Sequence, residues 1–84
     1  MSNPKITLDQ WAALVAVVEA SGYAQASRRL HRTQSTITYT IKKLEDLLGV
    51  RAFELQGRKA VLTPTGHVLY RRGKALLDEA ARVE

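Results

Sequence analysis

The chain is 84 residues long, 45% apolar and 25% charged, with a net charge of +5 and no cysteine. A chain of this length buries roughly 60–65% of its unfolded surface, which gives one modest core and leaves no room for a deep second site. The composition excludes a disordered chain, and the missing cysteines exclude disulfides, thiolate metal sites and thiol nucleophiles.

No apolar run approaches the ~20 residues of a membrane span and no signal-peptide pattern opens the chain, so a cytoplasmic protein is expected. Between Arg28 and Lys59 stand eight basic residues against three acidic ones, while the remainder is neutral. All the excess positive charge therefore sits on the central segment. Alone it fits a solvated basic face; with the motif below it points to nucleic acid.

Met1 to Ile6 reads as a short arm. Thr7-x-x-Gln10 is a capping box that starts a first helix. Leu8, Trp11, Leu14, Val15 and Val18 recur at helical spacing and give it a broad apolar face. Ser21-Gly22 ends it, with glycine expected to take the left-handed turn. A second, short helix runs from about Ala24 to Leu30, its small residues Ala24, Ala26 and Ser27 permitting close packing, with Tyr23 and Leu30 as bulky anchors. His31-Arg32 forms a tight polar break.

Thr33 is an N-cap, and a third helix follows from Gln34 to Leu48, with Gly49 as its stop. Ile37, Ile41, Leu44, Leu47 and Leu48 form its apolar stripe. Gln34, Ser35, Thr38, Tyr39 and Lys42 fall on the other face of its first turns, with Thr36 at the leading edge. A helix with one apolar face and short hydrogen-bonding side chains at its exposed start is built like a DNA recognition helix.

From Gly49 the period changes. Ala52–Leu55 and Ala60–Thr63 read as two short strands around Gln56-Gly57-Arg58-Lys59, a small wing anchored by Phe53 and Leu62. Gly57 and Gly66 are assigned to turns. Thr63-Pro64 opens a last helix as N-cap and N1 proline. Along it Leu69, Gly73, Leu76, Ala80 and Val83 step as a heptad seam that Leu77 widens. With nothing else in the chain left to cover it, the seam predicts pairing with a second copy or a further domain, ahead of the alternative that the helix folds back onto its own core.

No catalytic constellation accompanies these elements. His31 and His67 are far apart, no metal-ligand spacing surrounds them, and no cofactor motif occurs, so an enzyme is not expected. Gln34 can pair with adenine, the hydroxyls of Ser35, Thr36 and Thr38 can reach bases or phosphates, and Arg28, Arg32, Lys42 and Lys43 suit the backbone. Arg58 at the wing tip suits a narrow minor groove. Two other functions fit less well. A winged-helix protein-interaction module leaves the concentrated charge unexplained, and a nonspecific packaging protein leaves the short polar side chains unexplained.

Tyr23-x-x-Ala26-Ser27-x-x-Leu30, Leu30-His31-Arg32-Thr33-Gln34-Ser35, Ile41-Lys42-x-Leu44-Glu45, Leu48-Gly49-Val50-Arg51-x-Phe53 and Leu62-Thr63-x-x-Gly66 stand in uninterrupted register. Together they resemble the N-terminal winged helix-turn-helix domain of the LysR-type transcriptional regulators of bacteria. The resemblance implies a mainly α fold, with a three-helix core and two-stranded wing over residues 1–63 and a linker helix over 64–84. It implies that Leu69, Gly73, Leu76, Leu77, Ala80 and Val83 pair two chains. It also implies a C-terminal effector domain outside this chain, through which alone a small inducer would act, and binding as dimers or dimer pairs to interrupted inverted repeats. The family's DNA positions carry over to Thr33, Gln34, Ser35, Thr36, Thr38 and Arg58. Tyr39 stands where many members have arginine, Leu55 where an arginine often follows the Phe-Glu pair, and Ala24 where a capping hydroxyl is frequent. A base preference unlike the family's commonest one is expected.

Overall fold

Helix α1 (Leu8–Ala20) begins at the predicted capping box. Thr7 Oγ1 accepts the Gln10 N–H at 3.1 Å and Gln10 Oε1 accepts the Thr7 N–H at 2.8 Å. The computed structural model describes residues 6–57 and 59–83, without the Val83 side chain, so most of the N-terminal arm lies outside the described residues. Helices α2 (Tyr23–Leu30) and α3 (Gln34–Leu48) follow, then an antiparallel hairpin of β1 (Phe53–Gln56) and β2 (Lys59–Leu62), then α4 (Pro64–Val83). The three-helix core, two-stranded wing and final helix agree with the mainly α fold read from the sequence.

Leu14 of α1 and Ile37, Ile41 and Leu44 of α3 are fully buried, with Trp11, Val17, Ala26 and Phe53 around them. Burying each such aliphatic side chain is worth about 1.5–3 kcal/mol. The apolar stripes are narrower than expected. Leu47 and Leu48, in the last turn of α3, are 40% and 39% exposed, and Leu8 is 50% exposed at the first helical position of α1. The left-handed cap of α1 is Ser21, at φ 64°, and not the glycine after it, whose φ is 147°. Helix α2 starts one residue early, with Gly22 as an N-cap that has no side chain to bond.

The wing is shifted by one residue from its predicted strands. Phe53 pairs with Leu62 and Gln56 with Lys59, and Gly57 takes the positive φ of the turn. The ladder still closes at Ala52 and Thr63, where the Thr63 N–H reaches the Ala52 carbonyl at 3.0 Å. Two strands alone are marginal in water, and this pair is tied to the helices in three places. Glu45 of α3 accepts the N–H groups of Ala52 at 2.7 Å and Phe53 at 3.3 Å. The Phe53 ring lies against Tyr23 of α2, centroids 5.9 Å apart. Thr63 caps α4 by accepting the Gly66 N–H at 2.9 Å while donating its own hydroxyl to the Arg51 carbonyl. Gly66 thus sits inside the first turn of α4 and not in a loop; a Cβ there would run into the Ala52 carbonyl oxygen.

Helix α4 runs antiparallel to α1 and folds back on it. Near the C-terminal end of α1, Glu19 Oε2 accepts the Tyr70 hydroxyl at 2.9 Å and pairs with Lys74 Nζ at 3.3 Å. Farther along, buried Gly73 faces Trp11 and Val15, and Leu69 packs on the core. The expectation that nothing in the chain would cover α4 therefore fails for its first half. The second half fits it better. From Gly73 to Val83 the helix rises about 15 Å, whereas α1 extends only about 5 Å beyond Trp11. Leu76, at 47% exposure, opens this overhang beside a groove lined by Trp11, Arg72, Ala75 and Glu79.

Candidate nucleic-acid interface

Helix α3 holds most of the contact residues expected from the sequence, and its start is fixed by threonines. Thr33, in extended backbone, caps the helix by accepting the Thr36 N–H at 3.1 Å, and its hydroxyl donates to Thr36 Oγ1 at 2.9 Å. Thr40 bonds back to the Thr36 carbonyl at 2.8 Å. Both predicted contact residues Thr33 and Thr36 are exposed, but their hydroxyls already serve the helix, so each has less capacity to reach outward.

Gln34, Ser35, Thr38, Tyr39 and Lys42 stand together on the outer side of the first turns, all exposed, with Tyr39 at 65%. Behind them Ile37, Ile41 and Leu44 are locked into the core, so the outer face is presented by a rigid element. The 15 residues of α3 make a rod about 22 Å long, within reach of a major groove about 12 Å wide.

The flanking cations divide into two groups. Arg28, Lys42 and Lys43 are exposed, and among the described residues no carboxylate lies within ion-pair distance of them. Arg29 leans toward Glu19 at 3.8 Å. Arg32 is engaged at both tips of its fork by Asp9 of α1, Nη1 to Oδ2 at 2.7 Å and Nη2 to Oδ1 at 2.9 Å. The Asp9 carboxylate raises the pKa of that guanidinium beyond its ordinary value, first by hydrogen bonding and then by charge. Sequence reading missed this partner because Asp9 is 23 residues away and belongs to no local motif. It also missed Glu45 as the wing's tether. Arg58 lies outside the described residues.

The site offers hydrogen-bond donors, acceptors and positive charge on a convex helix face. Among the described residues no group of three or more His, Asp or Glu side chains could hold a metal ion, and no helix is long and apolar enough to cross a membrane. Cationic and rich in short polar side chains, the surface has the properties needed to meet a polyanion's groove.

Comparison with known proteins agrees. Residues 8–67 match the model of the bacterial regulatory helix-turn-helix proteins of the lysR family. YeiE of Escherichia coli K12, described as an uncharacterized HTH-type transcriptional regulator, is 35% identical over 79 residues, 94% of this chain and 27% of that protein. The chain thus spans about a quarter of the length of such relatives. The oxidized form of Corynebacterium glutamicum OxyR superposes with a TM-score of 0.88 at 29% identity, over 98% of this chain and 26% of that one. The CbnR_DBD-DNA complex gives 0.85 at 35% identity, over 92% and 88% of the two chains. The chain belongs to the LysR family of bacterial regulatory helix-turn-helix proteins, and its fold is that family's DNA-binding domain and not an enzyme's.

Proposed function

We propose that the chain reads double-stranded DNA sequence-specifically for bacterial transcriptional control, with α3 in the major groove and the wing beside the minor groove. The observation that carries this reading is the division of α3. One face is fixed in the core by Ile37, Ile41 and Leu44, and the other exposes Gln34, Ser35, Thr38, Tyr39 and Lys42. Base edges are distinguished by hydrogen-bonding side chains of this type, whereas Arg28 and Lys43 suit phosphates and set position. The solved CbnR_DBD-DNA complex, similar over nearly all of this chain, supports DNA as the partner.

Residues 1–63 are the reading unit in this proposal and 64–84 the linker through which two copies pair on an inverted repeat. The second half of α4, with Leu76 exposed and Leu77 and Ala80 half-buried, supports pairing; Leu69 and Gly73 are occupied within their own chain. For the whole protein, of which this chain spans about a quarter of a relative's length, the proposal adds a C-terminal effector domain, pairing of dimers and a cytoplasmic location.

The test is a titration of the chain against two duplexes across a range of salt. One is selected by the chain itself from a randomised pool and the other has the same bases shuffled. Gln34→Ala should cost about 1–3 kcal/mol on the selected duplex and little on the shuffled one. Both should weaken as salt rises. Equal binding to the two duplexes, unmoved by the substitution, would refute sequence reading by α3. Absence of salt-sensitive binding would favour a protein-interaction module.

A further inference from the structure

Arg32 occupies a strategic place. It is the last residue before the cap of α3 and, with Ser27, Arg28, His31 and Thr33, lines a hollow at the helix-turn-helix turn. A phosphate approaching the start of α3 would meet this hollow first, and a guanidinium grips phosphate best through two parallel N–H groups. In this structure those two groups are already taken. The Asp9 carboxylate holds Nη1 and Nη2 end-on at 2.7 and 2.9 Å.

The pair contributes little to folding. Both side chains are well exposed, at 41% and 57%, and ion pairs in such positions add little stability because water screens them. Its effect falls instead on the field at the surface, where a positive charge beside the recognition helix is cancelled by a group with a phosphate's bidentate geometry. Backbone attraction is the part of DNA affinity that ignores sequence, so cancelling it next to α3 leaves more of the decision to base contacts.

We propose that Asp9 is a specificity-determining residue that acts as an internal phosphate surrogate. Its carboxylate occupies the fork of Arg32 and suppresses a nonspecific backbone contact at the start of α3. Arg32 exchanges Asp9 for a DNA phosphate only where base contacts hold α3 in the groove. This inference rests on the DNA-reading function proposed above.

The experiment uses the 84-residue chain, Asp9→Asn, Arg32→Ala and the double variant, with the selected and shuffled duplexes between 50 and 200 mM salt. Asp9→Asn should tighten the shuffled duplex more than the selected one and so lower their affinity ratio. Freeing one cation for one phosphate should steepen the slope of log K against log salt on the shuffled duplex by about 0.9, so the gain shrinks roughly 3.5-fold across that range. In the Arg32→Ala background, Asp9→Asn should leave that slope unchanged. Three results would overturn the proposal: an unchanged slope in Asp9→Asn, weaker binding, or a gain that persists without Arg32. The last would mean a general field effect. If the unsubstituted chain bound neither duplex, the DNA-reading function itself would fall, and this inference with it.

Discussion

Gly73 of α4 lies directly against Trp11 of α1. A Cβ on Gly73 would stand 2.8 Å from Trp11 Cε3, and 3.4 Å from Val15 Cγ2. The absent side chain lets α4 lie against the indole, and this fixes where the rest of α4 projects.

Gly73→Ala therefore sets two effects against each other. Alanine gains about 1 kcal/mol of helix propensity, while a methyl forced into a packed contact costs about 1–3 kcal/mol. The indole is held in the core and cannot swing aside freely, so a net loss of about 1 kcal/mol is expected. For a domain of this size that is a fall in Tm of roughly 4–8 °C by thermal denaturation. A rise in Tm would mean that Gly73 faces open space and that α4 lies differently.

Glu45 supplies one of the three ties between the wing and the helices. Glu45→Ala would leave the N–H of Ala52, which is completely buried, without its acceptor. Losing a charge-assisted bond to a buried donor costs about 2 kcal/mol. Hydrogen exchange should quicken across Phe53–Gln56 and Lys59–Leu62 before it does in α1. Uniform quickening through the chain would show that the wing is held by other contacts.

Glu19 makes stability depend on acid. The Tyr70 hydroxyl, then Lys74, hold its carboxyl below the usual 4.5. A depressed folded-state pKa gives stability that is fully present above the unfolded value and lost as pH falls through the folded one. Stability differences between the natural chain and Glu19→Gln should be level above about pH 5 and shrink steadily below pH 4.5. A difference independent of pH over that window would rule out an ionic role. Lys74 has the opposite sign. Its raised pKa, caused mainly by the bond to Glu19, withdraws support only above its usual 10.5.

Tyr39 stands 65% exposed on the outer face of α3, one helical turn after Ser35. Arginine there would replace a neutral phenol with a five-donor cation that favours guanine O6 and N7. Selection of oligonucleotides from a random pool should show Tyr39→Arg changing the preferred base at one or two positions, with a steeper salt dependence. Identical selected sequences would remove Tyr39 from the reading face.

The division of α3 into a buried and an exposed face is legible in the amino-acid sequence because its causes are local. Thr33 caps over three residues, Ile37, Ile41 and Leu44 repeat every three or four, and the exposed residues are what that period leaves over. The stripe's extent is not legible there. Leu47 and Leu48 share the period of the buried residues, yet burial needs a neighbour, and both are exposed in the last turn of α3.

Sequence by itself determined the order of the elements, their caps at Thr7, Thr33 and Thr63, the basic centre and the family, all properties of neighbouring residues or of composition. Tertiary structure alone decided which distant groups meet: Asp9 with Arg32, Glu45 with the wing, Glu19 with Tyr70 and Lys74, and Gly73 with Trp11. The physical reason is range. Capping and periodicity act within one helical turn, whereas these contacts depend on how whole helices cross, which the packing of the entire core sets at once.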